Sequence, residues 1–340
     1  MRSLLLAALL LTATPVLAND TMSQLGTGGL VFITSEDISM DSEDLSVGPE
    51  QVKVVYQFTN NGKEDQHALV AFPLPDIKGD GDFMVSVPTE DAENLFGFTT
   101  TFNGEAVEST LHQYAFAVGI DQTELLKSLG IPLVPFGDDT RTKLNALPDE
   151  DKQNLIHLGM VIPMEYDDGG GWKTDYTPIW TVKSTYSWEA DFPAGETVDV
   201  VHTYKPSVGG TVAVTFLTPP YPDEDRGKDY KDKYCTDADL IKTLKKTLTG
   251  PEDYYSAPYT ESWISYIWST GANWGGAIKK FHLTIDKGDA KNLVSFCWDG
   301  KVTKTGPTTF EMDATDWFPP YGKELEILIL NRNDPVDNAG

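Results

Sequence analysis

The residues able to do chemistry in this chain are five histidines, a few clusters of acids and two tryptophans set in glycine turns. The histidines are His67, His112, His157, His202 and His282. The first four recur every 45 residues, but their surroundings share nothing, so the interval is not a repeat. No H-E-x-x-H, C-x-x-C or G-x-S-x-G is present, and no phosphate-cradling glycine loop either. His202 falls on an apolar strand face, where a hydrogen-bonded core histidine is the ordinary reading.

The run Asp76-Ile77-Lys78-Gly79-Asp80-Gly81-Asp82 has the look of a calcium loop. Asp76 and Asp80 take the first and fifth positions and Gly81 the sixth, but Lys78 spoils the third and Val87 the twelfth. Asp76, Asp80 and Asp82 are thus candidate ligands of a structural calcium, weighed against solvated turn acids; no other cofactor is expected. Glu165 with Asp167 or Asp168, and the acids from Asp223 to Asp232, invite similar readings. A hydrolytic carboxylate pair is defined by its separation in space, which sequence does not give. Trp172 in D-D-G-G-G-W and Trp274 in A-N-W-G-G sit in turns that would expose an indole, as carbohydrate or peptide binding uses. The competing reading folds each indole back over a sheet end.

Trp274 belongs to the stretch Trp263–Asp299, which holds four of the eight tryptophans. Ile264, Tyr266 and Trp268 alternate with Trp263, Ser265 and Ile267, the pattern of a strand covered on both faces. Phe281, Leu283 and Ile285 then alternate with polar residues. The stretch reads as a hairpin-like unit whose turn displays Trp274.

The elements that must hold these residues are mostly strands. Val52, Val54, Tyr56 and Phe58 alternate with polar residues, Asn60-Asn61-Gly62-Lys63 follows, and Ala68, Val70, Phe72 and Leu74 alternate again, which predicts a β-hairpin. A further strand ends at Phe102 with a turn at Asn103-Gly104. Helices are expected from Asp121 to Leu129, with Gly130 as the stop, and from Pro148 to Leu158. Strands return at Trp180–Glu189, Val198–Tyr204 and Val212–Phe216. Pro219–Lys233 reads as a charged loop and 236–249 as a helix begun by Thr236. Strands near Thr308–Met312 and Leu325–Leu330 finish the chain. The fold class is α+β, mainly antiparallel β, with two sandwich-like regions and short helices in the connections. The expected divisions are a signal peptide over 1–18, an N-terminal sandwich region over 19–120, a helical connector over 121–175 and a β-rich region over 176–340.

Residues 1–18 carry one positive charge, a short apolar core and small residues before Asn19, with Ala18 at the cleavage position, as a secretory signal does. The apolar run is too short to span a bilayer, and no transmembrane segment is expected. A periplasmic or secreted destination follows, and there Cys235 and Cys297, the only cysteines, most simply pair. The formal net charge of −26 repels nucleic acid and anionic lipid headgroups.

V-V-Y-Q-F-T-N-N with A-F-P-L-P, F-P-A-G with V-H-T-Y-K-P, S-T-G-A-N-W-G-G-A-I and V-S-F-C together resemble an uncharacterised family of secreted proteobacterial proteins, a domain of unknown function. The F-P-L-P ending of the first hairpin also resembles the N-terminal sandwich module of inter-α-trypsin inhibitor heavy chains, which implies a sandwich and no function. The reading is a non-catalytic binding or interaction module of the cell envelope, its ligand an unidentified protein or carbohydrate. The alternatives are a carboxylate-dependent hydrolase and a calcium-dependent carbohydrate-binding or adhesion protein.

Overall fold

The computed structural model describes residues 21–26, 29–79, 84–86, 94–219, 225–250, 252–320 and 323–333. Asp80 and Asp82, and the leader 1–18, lie outside them. Apolar residues at every second position give long strands, and among the described residues these assemble into three sheets and one separate hairpin. The first sheet centres on Thr181–Phe192, which lies between Thr110–Ala117 and Gln66–Pro73. The second runs from Thr309–Trp317 through Ile278–Asp286, Ile38–Val47, Val52–Asn60 and Thr197–Tyr204 to Thr99–Phe102. Its pairing of Ile278–Asp286 with Ile38–Val47 is parallel. In the third, Leu325–Arg332 lies between Leu293–Phe296 and Tyr259–Tyr266.

One continuous core joins the inner face of the second sheet to those of the other two. It includes Phe72 and Trp188 from the first sheet, Tyr56 and Phe58 from the second, and Ile264 and Tyr266 from the third. The Tyr56 and Tyr266 hydroxyls meet across it at 3.1 Å. Helices cover the other faces. Helix α1 (Thr123–Ser128), α2 (Asp138–Ala146) and α3 (Asp149–His157) bury Leu126, Leu144 and Leu155 with Ala115 and Trp180. Helix α4 (Arg226–Tyr234) and α5 (Ala238–Lys245) bury Tyr234 and Leu244 against Leu328 and Leu330. Strand Tyr259–Tyr266 therefore is apolar on both sides for the expected reason: Ile264 and Tyr266 face the main core, while Trp263 packs on the helical one. No helix among the described residues is long and apolar enough to cross a membrane.

The predicted fold class holds, but several connections differ from expectation. Val52–Asn60 and Gln66–Pro73 do not form a hairpin, because they lie in the second and first sheets respectively. The turn between them arches over the end of the sandwich, where Asn60 Nδ2 donates to the Phe192 carbonyl at 2.8 Å and Oδ1 accepts from Gly62 N. A hairpin and an arch share one alternation pattern, so periodicity does not separate them. Likewise Tyr259–Tyr266 and Ile278–Asp286 belong to different sheets and are not a hairpin-like unit. Asn103-Gly104, with φ of 50° and 83°, does close a true hairpin between Thr99–Phe102 and Glu105–Val107.

Segments rich in charge hid regular structure. The acidic stretch from Ser35 to Asp44 supplies most of the central strand Ile38–Val47. The expected loop Pro219–Lys233 gives way at Arg226 to helix α4, capped by Asp225 accepting from Lys228 N and supported by the Lys228–Asp232 pair. Helix α2 lies inside the region 121–175 expected to be a helical connector, and the hairpin Val161–Asp167/Trp172–Pro178 begins in it and runs three residues past its end. The expected strand at Val212–Phe216 is instead Val208–Thr211 followed by a 3₁₀ turn at Thr215–Leu217. Asp237, not Thr236, caps α5.

Candidate functional site

Where the second and third sheets meet at one end, three tryptophans arrive from three different strand ends. Trp268 follows Tyr259–Tyr266 and leads into a 3₁₀ turn, Trp298 follows Leu293–Phe296, and Trp317 ends Thr309–Trp317. Their ring centroids lie 5.2 Å (Trp268 to Trp317), 6.3 Å (Trp268 to Trp298) and 5.9 Å (Trp298 to Trp317) apart. Phe281 supports the group, stacked on Trp317 at 4.1 Å and on Trp298 at 5.9 Å. A cavity of about 260 Å³ opens here, and its walls include the three indoles, Cys297, Asp313 and Glu324.

Backbone geometry sets each wall. Met312 and Ala314 face inward beside Leu283 and Phe281, so strict alternation would turn Trp317 outward. Asp316, in the left-handed region at φ 48°, breaks the alternation and brings Trp317 back over Phe281. Trp298 is held by its neighbour. Cys297 is bonded to Cys235, as the sequence reading expected, with Cα atoms 5.1 Å apart, and Cys235 ends α4 in a left-handed conformation. Ser295 adds a bond from its hydroxyl to the Tyr234 carbonyl at 2.9 Å. Trp268 donates from Nε1 to the Lys323 carbonyl at 2.9 Å. Trp298 Nε1 is buried and has no hydrogen-bond partner among the described residues. It lies so close to Gly300 that a Cβ there would approach it to 2.5 Å.

Glu324 is the cavity's tuned ionisable group. Its carboxylate accepts from Trp268 N at 3.1 Å and from the Ser269 hydroxyl at 3.0 Å. Burial pushes its carboxyl up to about 7, and the like charge of Glu326 adds to this, against the hydrogen bonds from Ser269 and Trp268. Asp313 lies 2.8 Å from His282 Nδ1 at the exposed side. Indole faces beside a carboxylate offer stacking and attraction for positive charge.

The residues singled out in the sequence are placed elsewhere. Trp274, expected on display, is 2% exposed and packs on Phe58 at 4.4 Å between centroids. The reason lies in the glycines after it: Gly275 donates to the Ile38 carbonyl at 2.7 Å, and a Cβ there would stand 2.7 Å from the Glu36 carbonyl oxygen. Those glycines permit close approach and not display. Trp172 is 77% exposed and faces Asp167 across the tip of the separate hairpin, so Trp172 and the buried Trp274 do not share a site. The acids at that tip shape the turn. Asp167 accepts from Gly169 N and Gly171 N, and Asp168 accepts from Gly170 N and pairs with Lys173.

Asp76 lies in another cavity, of about 290 Å³, and pairs with Lys183 at 3.2 Å. Burial raises its carboxyl despite that lysine. Among the described residues no three His, Cys, Asp or Glu side chains converge as a metal-binding group. His202 is fully buried, 3.1 Å from the Thr100 hydroxyl and ringed by Phe98, Trp188 and Phe72. Trp298 and Trp317 were not recognised from sequence. The one available signal was tryptophan placed at or just past a strand end, in D-W-F-P-P and in W-D-G.

The family described as a domain of unknown function, DUF4424, matches residues 18–328, and the chain belongs to it. No curated protein matches. Among solved structures the chain is similar to one described as a "putative nutrient binding protein" from Legionella pneumophila subsp. pneumophila str. Philadelphia 1. The identity is 13%, with 92% of this chain and 70% of that chain covered and a TM-score of 0.45.

Proposed function

We propose that this chain is an exported binding protein of the cell envelope, and that the tryptophan-walled cavity holds its small ligand. The observation that carries the reading is the convergence of Trp268, Trp298 and Trp317 around an open space beside the carboxylate of Glu324. Large aromatic walls with few polar groups are how small-ligand sites gain both area and orientation. The walls are also fixed in advance, by the disulfide at Cys297 and the Trp268–Lys323 bond, so little ordering cost falls on binding. Export is supported by residues 1–18, whose single Arg2, apolar run and Ala18 form a secretory signal.

Thermal-shift screening of the mature chain against small amines, amino acids and monosaccharides tests the binding reading, with each hit repeated on Trp298→Ala. A hit that stabilises the parent and fails on the variant supports the cavity; a hit that stabilises both equally removes it. Amino-terminal sequencing of protein recovered from the periplasm and medium tests export, and a first residue other than one near Asn19 argues against this signal.

A further inference from the structure

We propose that the ligand of the tryptophan cavity is a small organic cation, an alkylated ammonium headgroup, held on the faces of Trp268, Trp298 and Trp317 with Glu324 as its counter-charge. The inference rests on the binding reading above and specifies its chemistry. Indole is the aromatic side chain that attracts cations most strongly, and the attraction grows where water is excluded. Three indoles wall this cavity together, supported from behind by Phe281.

Charge selects among ligands. Among the described residues Asp299, Asp313 and Glu324 line the space against one cation, Lys323, so an anionic ligand meets a repelling wall. Burial works against the charged form of Glu324. A bound cation supplies the opposite charge that its surroundings lack. The chain's formal net charge of −26 favours cations in the surrounding solvent as well.

Size and polarity argue against a sugar. At about 260 Å³ the cavity is below the roughly 300–1,000 Å³ of sites for larger ligands, which suits a single compact headgroup. A sugar also needs many directed donors and acceptors. Among the described residues the lining contributes no asparagine, glutamine, serine or threonine beside its three carboxylates and Lys323, and the amide and hydroxyl near Glu324 are already bonded to its carboxylate.

The test is tryptophan-fluorescence and calorimetric titration of the mature, disulfide-bonded protein at pH 8. The probes are tetramethylammonium, choline, the neutral choline isostere 3,3-dimethyl-1-butanol, and glucose. Expected are saturable binding of both cations, at least about tenfold weaker binding of the neutral isostere, and no binding of glucose. Glu324→Gln, which keeps the shape, should weaken the cations about tenfold and leave the isostere unchanged; a circular-dichroism melt checks that it folds. Trp317→Phe should weaken the cations by a smaller factor. If the isostere or glucose binds as well as the cations, the ammonium assignment is overturned while the cavity remains a binding site. If cations bind but neither variant alters their affinity, they bind elsewhere and the assignment also falls. If none of the four probes binds, the ammonium assignment fails, and the broader screen decides the cavity reading separately.

Discussion

Phe281 and Trp317 stack at 4.1 Å between centroids with 26° between their planes, although they lie on adjacent strands where simple alternation would send their side chains to opposite faces. The break is at Asp316, the residue before the tryptophan, whose φ is 48°. Aspartate tolerates this conformation better than most residues. This left-handed residue sits where alternation breaks and Trp317 turns to form the candidate cavity's third wall.

Asp316→Val should cost about 1–2 kcal/mol, the penalty of a left-handed conformation for a side chain that resists it, and should release Trp317 from Phe281. Asp316→Gly and Asp316→Asn should be close to neutral. Near-ultraviolet circular dichroism, which reports the packing of the indoles, should change only for valine. An unaltered spectrum in that variant would show that the torsion does not position Trp317.

Removing the bridge should loosen the opposite wall. Cys235 and Cys297 are 62 residues apart, and closing such a loop stabilises by about 4 kcal/mol in the chain-entropy model. Urea unfolding of the Cys235→Ser/Cys297→Ser double variant should show a loss of that order. The fluorescence of Trp298, next to Cys297, should also shift towards longer wavelength before global unfolding. A single concerted transition at all wavelengths would refute the local part of this expectation.

Glu324 ties stability to pH. Its carboxyl, raised to about 7 from 4.5, keeps its proton in the native state over a range where the unfolded chain has already lost it. The unfolded state therefore binds fewer protons between these values, and stability falls as pH rises from about 4.5 to about 7, then levels. The loss attributable to this group should be at most about 2–3 kcal/mol, since the carboxyl is part-exposed and screened. The pH dependence over this interval should be shallower in Glu324→Gln, and a dependence identical to the parent's would exclude Glu324 as its source.

Gly275→Ala should be strongly destabilising, because its Cβ would stand 2.7 Å from one backbone oxygen and 3.1 Å from another. The backbone of Glu36–Ile38 would have to move away, and with it the seal that Trp274 makes over Phe58. A loss of at least about 1–3 kcal/mol is expected, the range for overpacking a close-fitting site. Gly276→Ala, with φ of 101° and open space around it, should cost strain alone. The two glycines are separable by comparing denaturant midpoints; equal losses would mean that contact with Glu36 is not what constrains Gly275.

Tyr230→Phe tests how α4 is fastened. Glu261 is 2% exposed and accepts from Thr215 N, the Thr215 hydroxyl, the Tyr230 hydroxyl and Trp263 Nε1. Removing one donor from a buried carboxylate should cost about 1–3 kcal/mol. Hydrogen exchange should then increase in α4 before it does in Tyr259–Tyr266. If exchange rises only in the strand, the clasp does not govern the helix.

Strand chemistry was legible wherever alternation was unbroken. Val182, Tyr186 and Trp188 face inward as their spacing demands, and Ile264 and Tyr266 lie opposite Trp263. The cysteine pair followed from there being two cysteines and from the expected oxidising destination. What alternation leaves open is the partner of each strand, which is why two expected hairpins are connections between sheets. Charged residues hid regular structure where they served as caps and i,i+4 pairs, as in α4, or lay within a strand paired on both sides, as in Ile38–Val47.

The linear order of residues, taken alone, determined that the chain would form layered antiparallel sheets with a disulfide near the end, since side-chain period and cysteine chemistry are local properties. Folding decided which tryptophans meet. Trp268, Trp298 and Trp317 are distant along the chain and share no motif, and their meeting depends on strand pairing, the Cys235–Cys297 link and a single left-handed residue. Trp172 and Trp274 occupy similar glycine turns, yet one is exposed and the other buried, because exposure is set by what packs across the turn and not by the turn's own composition.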